Sequence, residues 1–341
     1  MVTRIVTSRD SLWLKSRESA EPTLKAFCIS HIKDVDGLSS AALVLAATGA
    51  DLLLTNYNGI LADLDKVPED AEKVIICDIG SDVSESEEFV EKLGKIASRS
   101  KVTYIDHHFA TGATKRKISR KGVNLVHDVN ECASILTYLT FRKSLPEEAK
   151  KVALYGAVTD YMDDAVEAKR LMEQTDRHFI LLEASMLAYA LAKRGDELGF
   201  PYMVAKELAQ MKHPHEIAGV PALAVEHLND VVKLEVVVRK TGKTIGRVAY
   251  VETDQQATGG VAKLLIGAFG VPVGVAYKEK DKGWCEVSLR CTSECTAHLG
   301  KTISPIAAKL GGTGGGHKRA AGCRVATDKI QEMLRMLSTK V

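Results

Sequence analysis

Lys101-Val102-Thr103-Tyr104-Ile105-Asp106-His107-His108 is the stretch from which the rest of the chain can be read. Lys101 to Ile105 is short, largely apolar and rich in β-branched and aromatic side chains, the pattern of a buried strand. An acid and two imidazoles follow at once. Buried charge is costly unless it is paired or bound to a metal, so three metal-capable side chains at a strand end point to a site rather than to packing.

The same grammar recurs upstream. Residues 25–31, 51–56 and 72–77 read as strands, 37–48 and 87–97 as helices, and 122–126 as a fifth strand. Such alternation predicts an α/β fold, a parallel sheet with helices on both faces. In open sheets of this kind ligands bind beyond the carboxyl ends of the strands. Residues 147–212 read as mostly helical, with breaks at Arg194-Gly195 and at Gly199-Phe200-Pro201. His213-Pro214-His215 looks like a boundary. From Lys233 onward Leu234 to Arg239, Thr241-Gly242-Lys243 and Ile245 to Val251 read as a β-hairpin. A helix at 257–268, strands at 271–277 and 284–290, a Gly-rich loop at 311–316 and a final helix follow. The expected organisation is an N-terminal extension (1–22), a catalytic α/β domain (23–212), a linker (213–232) and a smaller α/β domain (233–341), with the active-site cleft between the two domains.

Composition narrows the field. The chain has 341 residues, 45% hydrophobic, with a net charge of +2, so no global charge commits it to nucleic acid. No apolar run approaches the roughly 20 residues that span a bilayer. Met1 to Pro22 is polar, with no signal-peptide apolar region. Seven scattered cysteines, an odd number, do not form a secreted disulfide framework, and a cytoplasmic location is expected.

The remaining acids fall where the strand-end argument wants them. The first strand runs into His31-Ile32-Lys33-Asp34-Val35-Asp36-Gly37, the third into Asp78-Ile79-Gly80, and the fourth into Asp106-His107-His108. Asp160 ends the helix that begins near Glu147. Any one of these acids alone would be a cap or a turn residue. Parallel strands bring their carboxyl ends together, and carboxylates packed that closely repel one another. Divalent cations remove the conflict. Mixed carboxylate and imidazole donors suit Mn2+, with Mg2+, Fe2+ and Zn2+ as alternatives. Two such ions, about 3.5–4 Å apart, would clamp both oxygens of an in-line displacement at phosphorus.

The set His31/Asp34/Asp36, Asp78, Asp106-His107-His108 and Asp160 resembles the DHH phosphoesterase superfamily. Gly315-Gly316-His317-Lys318-Arg319-Ala320-Ala321-Gly322, with Ser288 and Arg290 upstream, is similar to the DHH-associated C-terminal domain. The resemblance spans about 24 to 330. Asp34 to Ala42 looks most like RecJ-like exonucleases, and the short two-domain layout is similar to oligoribonucleases and phosphoadenosine phosphatases of the superfamily. It implies that His31, Asp34 and Asp78 hold one metal and that Asp36, Asp78, His107 and Asp160 hold the other. It also implies that Asp106 orients a ligand imidazole, that His108 faces the scissile phosphate, and that Arg290 and His317 grip phosphate oxygens. Where many family members place three residues between the first His and the first Asp, this chain has two, Ile32 and Lys33, so Lys33 competes with His31 for that place.

The expected activity is therefore a Mn2+-dependent phosphodiesterase with two ions, Mg2+ being the alternative. It would remove nucleotides from the ends of single-stranded DNA or RNA or of short oligonucleotides by way of a metal-activated hydroxide. The alternatives are a phosphohydrolase acting on cyclic dinucleotides (nucleotide second messengers) or phosphoadenosine phosphate, and a non-catalytic replication or repair module. Gly314, Gly315 and Gly316 would let the backbone approach a phosphate. Arg116 and Lys117, in the basic run 114–121, would hold a nucleic-acid backbone. No membrane partner is expected, and a homo-oligomer is left open. Cys291, Cys295 and His298 are too loosely spaced for a structural zinc site.

Overall fold

The computed structural model describes residues 25–80, 86–254, 258–281, 283–316 and 318–341. The expected extension at 1–22 and His317 lie outside the described residues. The chain divides into two compact units, Met1–Ala224 and Val225–Val341.

The first unit is built on five parallel strands: β1 (Ala26–His31), β2 (Asp51–Thr55), β3 (Lys73–Cys77), β4 (Lys101–Asp106) and β5 (Asn124–His127), in the order β2-β1-β3-β4-β5. The chain leaves β1 towards one edge and returns on the other side as β3. The crevice beyond the carboxyl ends of these two strands is the switch point of the sheet, where open α/β folds bind ligands.

Helices cover both faces. On one face α1 (Val35–Thr48) is buried along nearly its whole length, which its small and aliphatic side chains permit. Asp34 caps it by accepting from the Gly37 N–H, and Gly49, at φ 67°, closes it in a left-handed turn. A Cβ on Gly37 would lie 2.3 Å from the His31 carbonyl oxygen, so only glycine lets the first turn of α1 pack on the end of β1. The opposite face is covered by α2 (Ile60–Leu64), α3 (Ser86–Ala97) and α4 (Gly112–Arg120), with Phe89, Leu93 and Ile118 in its core. Five further helices complete the unit: α5 (Ala133–Phe141), α6 (Ala149–Thr159), α7 (Val166–Met172), α8 (Arg177–Arg194) and α9 (Gly199–Ala209). The predicted parallel sheet and its strand positions match within two residues.

The helix α10 (Val220–Thr241) contains the division between the units. The second unit continues with β6 (Lys243–Ile245), β7 (Val248–Glu252), α11 (Thr258–Phe269), β8 (Val273–Asp281), β9 (Trp284–Cys291), α12 (Leu299–Lys309), β10 (Thr313–Gly316), β11 (Ala320–Ala326) and α13 (Ile330–Ser338). Its mixed sheet has the order β10-β11-β9-β8-β7-β6, parallel only between β7 and β8.

Three expectations are corrected. Leu234 to Arg239 is not the first arm of a hairpin but part of α10, and the hairpin is formed by β6 and β7. Leu234 and Val238, four residues apart, pack on the core of the second unit, and that helical spacing overrides the β preference of the valines. The segment 213–232, expected as a linker, holds a short 3-10 turn and the first half of α10. Residues 313–316, expected as a loop, form an edge strand paired with β11. Among the described residues no helix is long and apolar enough to cross a membrane.

Candidate metal centre

The strand ends converge as their spacing predicted. Asp78 follows β3 with φ 57°, a left-handed conformation that aspartate tolerates better than most residues, and its N–H donates to the Ile105 carbonyl of β4. Its carboxylate is buried and faces two ways. One oxygen lies 3.6 Å from His31 Nδ1, the other 3.4 Å from His107 Nε2. His31 Nδ1 is also 2.8 Å from Asp34 Oδ2. His107 Nε2 is 3.3 Å from Asp160 Oδ2 and 3.9 Å from Asp36 Oδ2. Two donor groups result, His31/Asp34/Asp78 and Asp36/His107/Asp160, with Asp78 beside both; Asp78, His107 and His108 make a third. Lys33 does not take the place of His31, since its ammonium pairs with Asp196 at 2.5 Å.

Asp36 is held by two helices. Its oxygens accept from the N–H groups of Ala133 and Ser134 at the start of α5, at 2.8 and 2.9 Å. On the other side stands Gly156 of α6, where a Cβ would fall 2.5 Å from Asp36 Oδ1 and 2.2 Å from Ser134 Oγ. The same helix ends on Asp160.

Asp106 does not orient His107. It accepts from Nδ1 of His108 at 2.8 Å and from the hydroxyl of Tyr104 at 3.1 Å. The His108 ring lies over Gly80, and its backbone carbonyl is 2.6 Å from Nε2 of His127 at the end of β5. Tyr57, just past β2, places its hydroxyl 2.9 Å from His108 Nε2. Tyr57, Tyr104 and His127 were not anticipated. Single aromatic residues near strand ends carry no periodic signal.

Charge explains why these groups suit a cation. Burial, then the neighbouring Asp78, lifts Asp36 to about 6; burial, then Asp36, lifts Asp160 to about 8. Burial works against the charge of His31 and His107, but Asp34 and Asp78 around the first, and Asp78 and Asp36 around the second, raise both to about 10. The cluster draws in protons to offset its acids. A divalent ion answers the same demand, and neutral imidazole with carboxylate is a donor set that such ions take.

In the second unit Arg290, on β9, is half-buried, and a Cβ on Gly259 in the first turn of α11 would lie 2.4 Å from its guanidinium. Ser288 Oγ is 2.7 Å from Thr258 Oγ1. Gly314, Gly315 and Gly316 pair with Cys323, Gly322 and Ala321. The basic run lies mostly in helix α4. There Arg116 is exposed and Lys117 pairs with Glu87 at 2.7 Å.

Residues 244–341 match the family model of the DHHA1 domain. A search of curated proteins gives no match. Among solved structures, the DHH domain of a protein described as a member of a ribosomal-protein family aligns with a TM-score of 0.68 at 15% identity, over 92% of this chain and 86% of that one. RecJ from Thermus thermophilus in complex with Mn2+ aligns at 0.60 and 17% identity, over 92% of this chain and 51% of RecJ, so this chain spans about half of that protein. The pGpG-specific phosphodiesterase PggH from Vibrio cholerae aligns at 0.54 and 15% identity, over 92% and 98%. The fold is thus one shared with a DHH domain and with RecJ, and its C-terminal part is similar to a DHHA1 domain.

Proposed function

We propose that the chain is a divalent-metal-dependent phosphodiesterase that removes nucleotides from the ends of single-stranded DNA or RNA or of short oligonucleotides. The observation that carries this reading is Asp78, one buried carboxylate beside two donor groups. His31, Asp34 and Asp78 would hold one ion, and Asp36, Asp78, His107 and Asp160 the other. Mn2+ suits these donors best and Mg2+ is the alternative. Bound there, the ions would lower the pKa of a water and offset charge on the phosphate oxygens.

The protein's own groups do the rest. His108, held by Asp106, presents Nε2 to the scissile phosphate. Arg290 and His317 donate to its oxygens by charge-assisted bonds. The backbone at Gly314, Gly315 and Gly316 admits a phosphate closely, and Arg116 and Lys117 follow the backbone of a longer strand. A second reading, hydrolysis of a dinucleotide, is supported by the alignment with a pGpG-specific phosphodiesterase over 92% of this chain and 98% of that one.

End-labelled RNA and DNA of graded length, digested with Mn2+ beside pGpG and cyclic dinucleotides, separate the two. Stepwise mononucleotide release from strands longer than two residues supports the exonuclease. Turnover confined to dinucleotides supports the second reading, and no hydrolysis of any of them removes both.

A further inference from the structure

Tyr57 belongs to no motif, yet it stands inside the site. The turn that carries it is fixed: Asn56 Oδ1 accepts from the N–H groups of Asn58 and Gly59, at 3.0 and 2.9 Å, and the Asn56 carbonyl accepts from Gly59 and Ile60. This aims the ring at the centre of the strand ends. Its centroid lies 4.6 Å from that of His31 and meets His108 edge-on at 5.7 Å, 82° between planes. The residue is nevertheless 40% exposed.

A packing tyrosine behaves differently here. Tyr104 is buried, its hydroxyl enclosed between the Ile79 carbonyl and Asp106. The Tyr57 hydroxyl instead meets Nε2 of His108 at 2.9 Å, and Asp106 already occupies Nδ1 of that ring. Nε2 is therefore the ring nitrogen that His108 can turn to a ligand. Any oxygen that hydrogen-bonds it must lie beside the Tyr57 hydroxyl or replace it.

We propose that Tyr57 is a substrate-binding residue, whose hydroxyl and His108 Nε2 together hold one oxygen of the phosphate. The inference rests on the phosphodiesterase reading above. The choice of residue has a chemical reason. A lysine or arginine there would pair with Asp34 or Asp78 and compete with a bound cation, whereas a phenol donates to an anion without adding charge. The ring contact with His31 ties its position to a group proposed to hold a metal.

The test uses the full chain loaded with Mn2+, with AMP as the binding probe and a short oligonucleotide as substrate, comparing wild type, Tyr57→Phe, His108→Ala and the double variant. Removing the hydroxyl is expected to weaken AMP binding and kcat/KM each by about tenfold or more, as for a hydrogen bond to a charged group. The Mn2+ binding isotherm and Tm should stay at wild-type values. In the His108→Ala background the same change should cost less than about twofold, because the two donors share one oxygen. If wild type turns over and Tyr57→Phe keeps AMP affinity and kcat/KM within twofold, the role of Tyr57 is overturned and the phosphodiesterase stands. An equal loss in both backgrounds overturns the shared oxygen. A wild type that neither binds AMP nor hydrolyses overturns the phosphodiesterase and this role with it.

Discussion

At the scale of the residue, two aspartates divide the work. Asp78 touches both donor groups, whereas Asp106 touches neither and serves His108. Their substitutions should separate. Asp106→Asn keeps the shape but loses the charge-assisted bond to Nδ1, so turnover should fall by roughly 10- to 100-fold while Mn2+ binding stays intact. Titration calorimetry beside steady-state kinetics reads both, and a parallel loss of Mn2+ affinity would place Asp106 among the metal ligands instead. Most donor residues were legible in the sequence, because each follows an apolar strand. The partner of Asp106 was not legible. Asp106 and His108 sit on the same side of the extended chain, two residues apart, and in the fold that placement wins over the adjacent His107.

At the scale of the element, the centre depends on close approach of helices to strand ends. α6 can bring Asp160 to the site only because Gly156 leaves room for Asp36 and Ser134. Gly156→Ala should force α6 outward, destabilise the chain by about 1–3 kcal/mol as overpacking does, and weaken Mn2+ binding through Asp36 and Asp160 together. Thermal melts and metal titration check this; unchanged values in both would mean that α6 does not set the geometry. The parallel sheet was readable because its strands are continuous apolar runs, the mark of burial on both faces. The valines of α10 misled, since a short Val-rich run fits either period until its core partners are known. The strand at Thr313–Gly316 was hidden for the opposite reason: glycines carry no side-chain pattern, and pairing with β11 alone decides their state. In the basic run, Thr111 as cap and Ile118 as the buried contact were the available helix signals.

At the scale of the molecule, the cluster makes stability depend on pH and on metal. Asp36 at about 6, Asp160 at about 8, and His31 and His107 at about 10 all lie above their unfolded values. A raised folded pKa contributes stability below the unfolded pKa and loses it as pH climbs through the folded one. The chelator-treated chain should therefore lose Tm steadily from about pH 6 to about pH 10. Asp34, held below the usual carboxylate range against its burial by His31, acts in the opposite sense, its contribution being lost only in acid. Mn2+ held by these groups would displace those protons, so it should raise Tm more at pH 8 than at pH 6. A Tm gain from Mn2+ that does not change with pH would contradict a proton-filled cation site.

In the proposed hydrolytic site Asp78 would be shared by the groups that hold both cations. The most direct measurement is release of labelled mononucleotides from a single-stranded oligonucleotide, with Mn2+ and with chelator, by wild type and by Asp78→Asn. Wild type should release them only with the cation, and Asp78→Asn should be slower by more than about a hundredfold, as for loss of a group shared by both ions. Turnover by Asp78→Asn at the wild-type rate, or release by wild type in chelator, would contradict it.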